Sequence, residues 1–275
     1  MWLVSPLPEK VYATSAHPKW LRPMPTALLC AAVNLVGMYI AAMATQQKQT
    51  ESTSVFLVLA GLSFAHRLVV YAAIHWLWYV IDYCVIMCGI IFWHLWQFSN
   101  GETAADDEEA TARLFVLSAG IGSFVLMLNT KLLLHHPECA ASWWIHVGVP
   151  IWLSLAMRNW AGFNSTGLLT TVDIIVIFLR SYLPWWLGYF GFIIIRPSLP
   201  FALDKWPYLV GDYMGANPTF FHKFKFMAGH GIFALLGGVV GAFAYSNLLV
   251  HQLWVALGTA SSAYHGLKFY RSCKA

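Results

Sequence analysis

LLTTVDIIVIFLRSYLPWWLGYFGFIII, residues 168–195, carries only two charged side chains, Asp173 and Arg180, in a run longer than a bilayer demands. About 20 mostly apolar residues in a helix cross the hydrocarbon core. The run reads as a membrane span broken at Pro184. Seven more apolar runs lie outside it, at 26–43, 54–74, 76–98, 114–134, 143–157, 226–248 and 249–270. The last two are separated only near residues 246–251. The expected fold is therefore all-α, a polytopic membrane bundle of about eight transmembrane helices.

Composition agrees. The 275 residues are 59% apolar and 10% charged, with a mean hydropathy of +0.61. A soluble domain carries about 25% charge. Sixteen basic and twelve acidic side chains do not cover a soluble globule of this size. Disordered, collagen-like and disulfide-scaffold classes fall to the same numbers. The five cysteines are odd in number, lie mostly in apolar runs and form no disulfide framework. The net charge of +4 is too small to point to nucleic acid.

Residues 1–25 hold Pro6, Pro8, Pro18, Pro23 and Pro25 and lack the apolar stretch of a signal peptide. They read as an extramembrane segment before the 26–270 transmembrane domain, with 271–275 as a tail. With the N-terminus inside, the inside segments hold eleven Lys and Arg: Lys10, Lys19, Arg22, Lys131, Arg196, Lys205, Lys223, Lys225, Lys268, Arg271 and Lys274. The outside segments hold three, Lys48, Arg113 and Arg158. This bias places both termini on the positive side, cytosol or matrix. The acidic loop 102–109 then lies outside as a solvated connector.

Charged groups at membrane depth are costly and are functional candidates by default. Arg67 and Asp82 flank the turn near 74–75 at equal distance, so an antiparallel hairpin would pair them. Either the pair fixes the hairpin, or Arg67 meets substrate, since a guanidinium suits a phosphate. Asp173 and Arg180 lie two turns apart on one helix face, a polar seam or further substrate contacts. Pro150 and Pro184 leave the carbonyls of His146 and Arg180 without a donor in an α-helix, and such carbonyls need protein or a wet cavity. Spans five and six are therefore expected to line one polar cavity. Histidines at or in spans form no HExxH or Cys/His metal spacing, and no metal or bound cofactor is expected. Gly237 and Gly241 form a GxxxG packing motif.

The densest polar cluster is His135-His136-Pro137-Glu138, then Ser142-Trp143-Trp144-Ile145-His146 and Pro150. Pro137 ends span four, and His146 opens span five on the same, inside face. Neutral histidine is a general base for a hydroxyl, and Glu138 would orient it. The plainer reading is two interfacial histidines with a capping glutamate.

These residues resemble the glycerophosphocholine acyltransferase family of multispan membrane enzymes. Its signature runs from a histidine through an acid to Ser, Ile-His and a proline, matched here by His135, Glu138, Ser142, Ile145-His146 and Pro150. Arg67, Tyr71, His75-Trp76 and Ile81-Asp82-Tyr83 resemble the family's upstream pattern, and Met157-Arg158-Asn159-Trp160 its Leu-Arg-Trp. The resemblance covers roughly residues 60–270. It departs at Cys139 for lysine, at Ala141 for threonine, and at Leu257-Gly258-Thr259-Ala260-Ser261, with His265 near a family glutamate.

The resemblance implies transfer of an acyl chain from acyl-CoA, as co-substrate, to the hydroxyl of glycerophosphocholine. His135 or His146 would act as base, Arg67 would hold phosphate, and Asp82 would orient it or meet choline. The departures motivate an alternative: a catalytically lapsed relative serving as a structural subunit of a larger membrane complex, such as a mitochondrial respiratory complex. The enzyme would reside in the endoplasmic reticulum, the subunit in the mitochondrial inner membrane. Membrane lipids are partners in both cases, and other complex subunits in the second.

Overall fold

The computed structural model describes residues 23–45, 48–73, 83–100, 108–120, 144–160, 169–195 and 220–274. Among these residues the chain is helical throughout, with no strand. Eight helices follow one another. They are α1 (Pro23–Met43), α2 (Gln49–Ala73), α3 (Tyr83–Ser99) and α4 (Glu108–Gly120), then α5, α6 (Thr171–Ile195), α7 (Phe220–Ser246) and α8 (Leu248–Lys274). Helix α5 has a π-helical first part, Trp144–Leu153, that runs directly into an α-helical part, Ser154–Trp160.

Local chemistry sets the ends. Helix α1 opens on Pro23, and Pro25 follows in its first turn, where backbone N–H groups have no helical partner for a proline to remove. The helix therefore begins earlier than the proline content of 1–25 leads one to expect. The boundary between the last two helices is one residue, Asn247, whose side-chain oxygen accepts from the N–H groups of Leu249 (2.9 Å) and Val250 (3.3 Å). An asparagine N-cap thus divides a run whose hydropathy hardly dips. At α6, Thr170 and Asp173 form a reciprocal cap: Asp173 N–H donates to Thr170 Oγ1 (3.2 Å), and Thr170 N–H donates to Asp173 Oδ2 (2.8 Å).

Side-chain contacts fix the register. Trp152 donates to Asn34 (2.6 Å) and Asn159 to the Ala41 carbonyl (2.8 Å), both 118 residues apart, so α1 and α5 run parallel. Thr171 bonds Ser246, Gly238 faces the Phe178 ring and Gly231 faces Trp186, so α6 and α7 run antiparallel. Phe115 meets Tyr245, Val116 meets Gly241 and Gly120 meets Gly237, so α4 and α7 are antiparallel as well. Ser154 meets His251 and Ile151 meets Gly258, which makes α5 and α8 antiparallel. Trp160 donates to Ser52 (3.0 Å), joining the end of α5 to the start of α2. The ends of α1, α5 and α7 and the starts of α2, α4, α6 and α8 therefore gather at one end of the bundle, termed the upper end.

The tightest seam is α4 on α7. A methyl added at Gly237 would run into the Gly120 carbonyl oxygen, and one at Gly238 into the Phe178 ring. Small residues let these backbones approach closely, and they include the GxxxG pair. Helix α4 is the hub: Ala112 and Leu114 through Gly120 are all buried, and the helix packs against α3, α5, α6 and α7.

The core is mostly apolar, but it also holds polar side chains, and large apolar side chains cover much of the outside. Ser52, Thr53, Ser63, Arg67, Ser118, Ser154, Arg158 and His251 are buried, whereas Leu62 (64% exposed), Val172 (68%), Leu187 (56%) and Leu253 (55%) face outward. Among the described residues two helical stretches, Gln49–Val69 and Thr171–Phe192, are long and apolar enough to cross a membrane, and little of either is buried within the bundle.

Candidate functional site

Of the residues singled out in the sequence, Arg67 and His146 lie in described segments near the lower end. Arg67 projects from the last third of α2 and is buried to 4% exposure. His146 sits in the π-helical first part of α5 and is half-buried. The Ser52–Trp160 bond supplies a common origin for their heights. Arg67 lies fifteen residues down α2 from it, and His146 fourteen residues back along α5, so each is about 20 Å below that bond. Helices α2 and α5 pack against one another. Arg67 and His146 thus occupy one level. On the other flank of α5, Ile151 meets Gly258, so the turn of α8 that holds Ser261 reaches the level of His146.

The π register changes the consequence of Pro150. With pairing from i to i+5, the carbonyl that Pro150 leaves without a donor belongs to Ile145, and Ile151 is placed to serve His146. Ser154 Oγ donates in turn to the Pro150 carbonyl (2.7 Å). π-Helical segments cost regular hydrogen bonding and concentrate at functional sites.

His135, Glu138 and Asp82 lie outside the described residues, and with them the Arg67–Asp82 and His135–His146 contacts expected from the sequence. Asp173 and Arg180 are both exposed on α6. Asp173 caps that helix at the upper end, the end opposite His146. Helix α6 packs on α3, α4 and α7 rather than face to face with α5. Spans five and six, expected to line one polar cavity, are therefore not packed as direct neighbours among the described residues.

A second polar cluster, at the upper end, escaped the sequence reading. Arg158 lies buried within the bundle, although its position after an apolar run reads as an outside loop charge. Its Nη2 donates to the carbonyls of Ala244 and Tyr245, the latter at 3.1 Å, in the last turn of α7. Those carbonyls have no helical donor, and a cation there also meets the negative end of the helix dipole. The guanidinium stands 5.8 Å from the centre of the Phe115 ring. One turn back along α5, Ser154 Oγ lies 3.1 Å from His251 Nε2, both residues fully buried. The four-residue spacing of Ser154 and Arg158 on an otherwise apolar helix is the signal that would have found this cluster. Its chemistry is structural: it ties the upper ends of α4, α5, α7 and α8, and its hydroxyl already serves the carbonyls of Pro150 and Ile151.

Among the described residues no group of three or more His, Cys, Asp or Glu side chains is placed to hold a metal ion. No family model, curated protein or solved structure matches the chain.

Proposed function

We propose that this chain is an integral membrane acyltransferase that moves an acyl group from acyl-CoA to a hydroxyl of glycerophosphocholine. The observation that carries the reading is the common level of Arg67 and His146 at the lower end of the bundle. Asp82, His135 and Glu138, which the resemblance adds to these two, lie outside the described residues. Arg158-Asn159-Trp160, at the other end, is bound into helix packing.

In this reading His146 or His135 takes the proton from the acceptor hydroxyl as its oxygen attacks the thioester carbonyl. The carbon–sulfur bond then breaks, and the CoA thiolate leaves and recovers the proton. Arg67, buried and cationic, holds the acceptor's phosphodiester. The many large apolar side chains on the outside of the bundle support residence in a membrane, since such a surface suits a lipid solvent. The positive-inside bias of the sequence supports the reading in which the lower end faces the cytosol, where acyl-CoA is dissolved, with the endoplasmic reticulum as the membrane.

The experiment is acyl transfer in membranes expressing the chain. Lysophosphatidylcholine is expected to form from labelled glycerophosphocholine and acyl-CoA, above membranes without the chain. Absence of that product in membranes holding the folded protein would favour the second reading, a structural subunit of a larger complex, in the mitochondrial inner membrane for example. One observation speaks for that reading: a charged side chain stands on the outer surface of α6.

A further inference from the structure

Each of the last two helices carries one outward stripe. On α8, Leu249, Leu253, Leu257 and Tyr264 are all exposed. They follow at steps of four and seven, which keep to one helix face, and Lys268 and Arg271 continue the same series toward the lower end. On α7, Phe243, Leu236, Ile232 and Phe221 are exposed at steps of seven, four and eleven. Lys225 takes its register position on that face, four residues after Phe221. Both stripes are thus apolar for most of their length and end in basic residues beside an exposed aromatic one.

Helix length sets the level of these cations. Asn247 divides the two helices at the upper end. Lys225 lies 22 residues before it, Lys268 21 after and Arg271 24 after. At 1.5 Å per residue these are about 33, 32 and 36 Å along the helix axes. Tyr264, 17 residues on, lies at about 26 Å. The hydrocarbon of a bilayer is about 30 Å thick. A bilayer that begins at Asn247 therefore ends between Tyr264 and Lys268, with the aromatic ring at the boundary and the cations among the headgroups.

The chain does not balance this charge. Residues 213–275 hold five Lys and Arg and no acid. Glu51, Glu108, Glu109 and Asp173 sit in first turns at the upper end, and Glu102, Asp106 and Asp107 directly precede α4. The remaining five acids, Glu9, Asp82, Glu138, Asp204 and Asp212, share their segments with six Lys and Arg.

We propose that the lower rims of these two stripes bind anionic phospholipids of the surrounding leaflet, with the headgroup phosphate at Lys225 on α7 and at Lys268 and Arg271 on α8. The acyl chains lie along the apolar stripe above. A ligand charged at one end and apolar along its length matches the whole stripe, whereas a soluble phosphate would match only its end. The proposal rests on the membrane reading and holds for an active enzyme or a subunit alike.

The test reconstitutes the purified chain in vesicles of phosphatidylcholine with a minor share of phosphatidylserine. A trace of photoactivatable phosphatidylserine or phosphatidylcholine, reactive in its acyl chain, is added in turn. The serine lipid is expected to label α7 and α8 at least about fivefold more than the choline lipid, the factor one basic residue is worth at an anionic surface. High salt should shrink the excess in the unaltered chain. Lys225→Gln should remove it from α7 alone, and Lys268→Gln with Arg271→Gln from α8 alone, so the other helix reports that each variant is folded. Equal labelling by the two lipids, or an excess that survives these substitutions, would overturn the proposal. Loss of the excess on adding free CoA would overturn it too, by assigning the cations to a soluble phosphate. Release of the chain by alkaline carbonate would overturn the membrane reading and the lipid sites together.

Discussion

Three side chains carry most of the account, and each admits a separate test. His146→Ala is expected to lower acyl transfer about 10²–10⁴-fold if it is the general base, with the yield of folded protein unchanged. A smaller loss would pass that role to His135. Arg67→Lys keeps the charge but not the planar fork, so the acceptor KM should rise while kcat changes less. Equal effects on both constants would argue against a phosphate contact. Arg158 is the structural counterpart. Arg158→Met removes the donors to Ala244 and Tyr245, and buried carbonyls left without partners cost about 1–3 kcal/mol. Thermal unfolding in detergent should fall accordingly, and an unchanged midpoint would show that the upper cluster holds nothing together. The sequence makes Arg67 conspicuous because it interrupts an apolar run. Arg158 passes unnoticed because it follows one: a charge at the end of a span looks like a loop charge until the partner carbonyls on α7 are known.

At the scale of elements, hydropathy alone reveals eight helices and their order, because each must present an apolar surface. Their ends are less legible. Prolines suit a first turn as well as a loop, so α1 starts at Pro23, and a lone Asn247 divides α7 from α8 without a polar break. The π-helical opening of α5 has no signature in composition either, and it redirects the effect of Pro150 from the carbonyl of His146 to that of Ile145. Neighbour relations are the least legible of all: the two prolines say nothing of which helix α6 packs on, whereas glycines decide the packing. Gly120, Gly237 and Gly238 admit α4 and Phe178 against α7. Gly237→Ala should therefore destabilise the bundle by about 1–3 kcal/mol through overpacking. Gly61→Ala, where an added methyl meets no atom within 4 Å, should be neutral or slightly stabilising through helix propensity. Equal melting of the two variants would remove the α4–α7 seam from the account.

The molecule as a whole is polarised along its axis. The four acids of the described helices lie in first turns at the upper end, where helix dipoles favour them. Arg67 and His146 lie toward the lower end, as do Lys223 and Lys225 at the start of α7 and Lys268 and Arg271 near the end of α8. This polarity makes a sided prediction, because neither acyl-CoA nor glycerophosphocholine crosses a bilayer unaided. The decisive measurement is acyl transfer in sealed membrane vesicles of known sidedness, with both substrates supplied to one face at a time. The account predicts lysophosphatidylcholine only when they meet the face that carries the two termini, and its loss in His146→Ala. Product from the opposite face, or none from either face with intact protein, would contradict it.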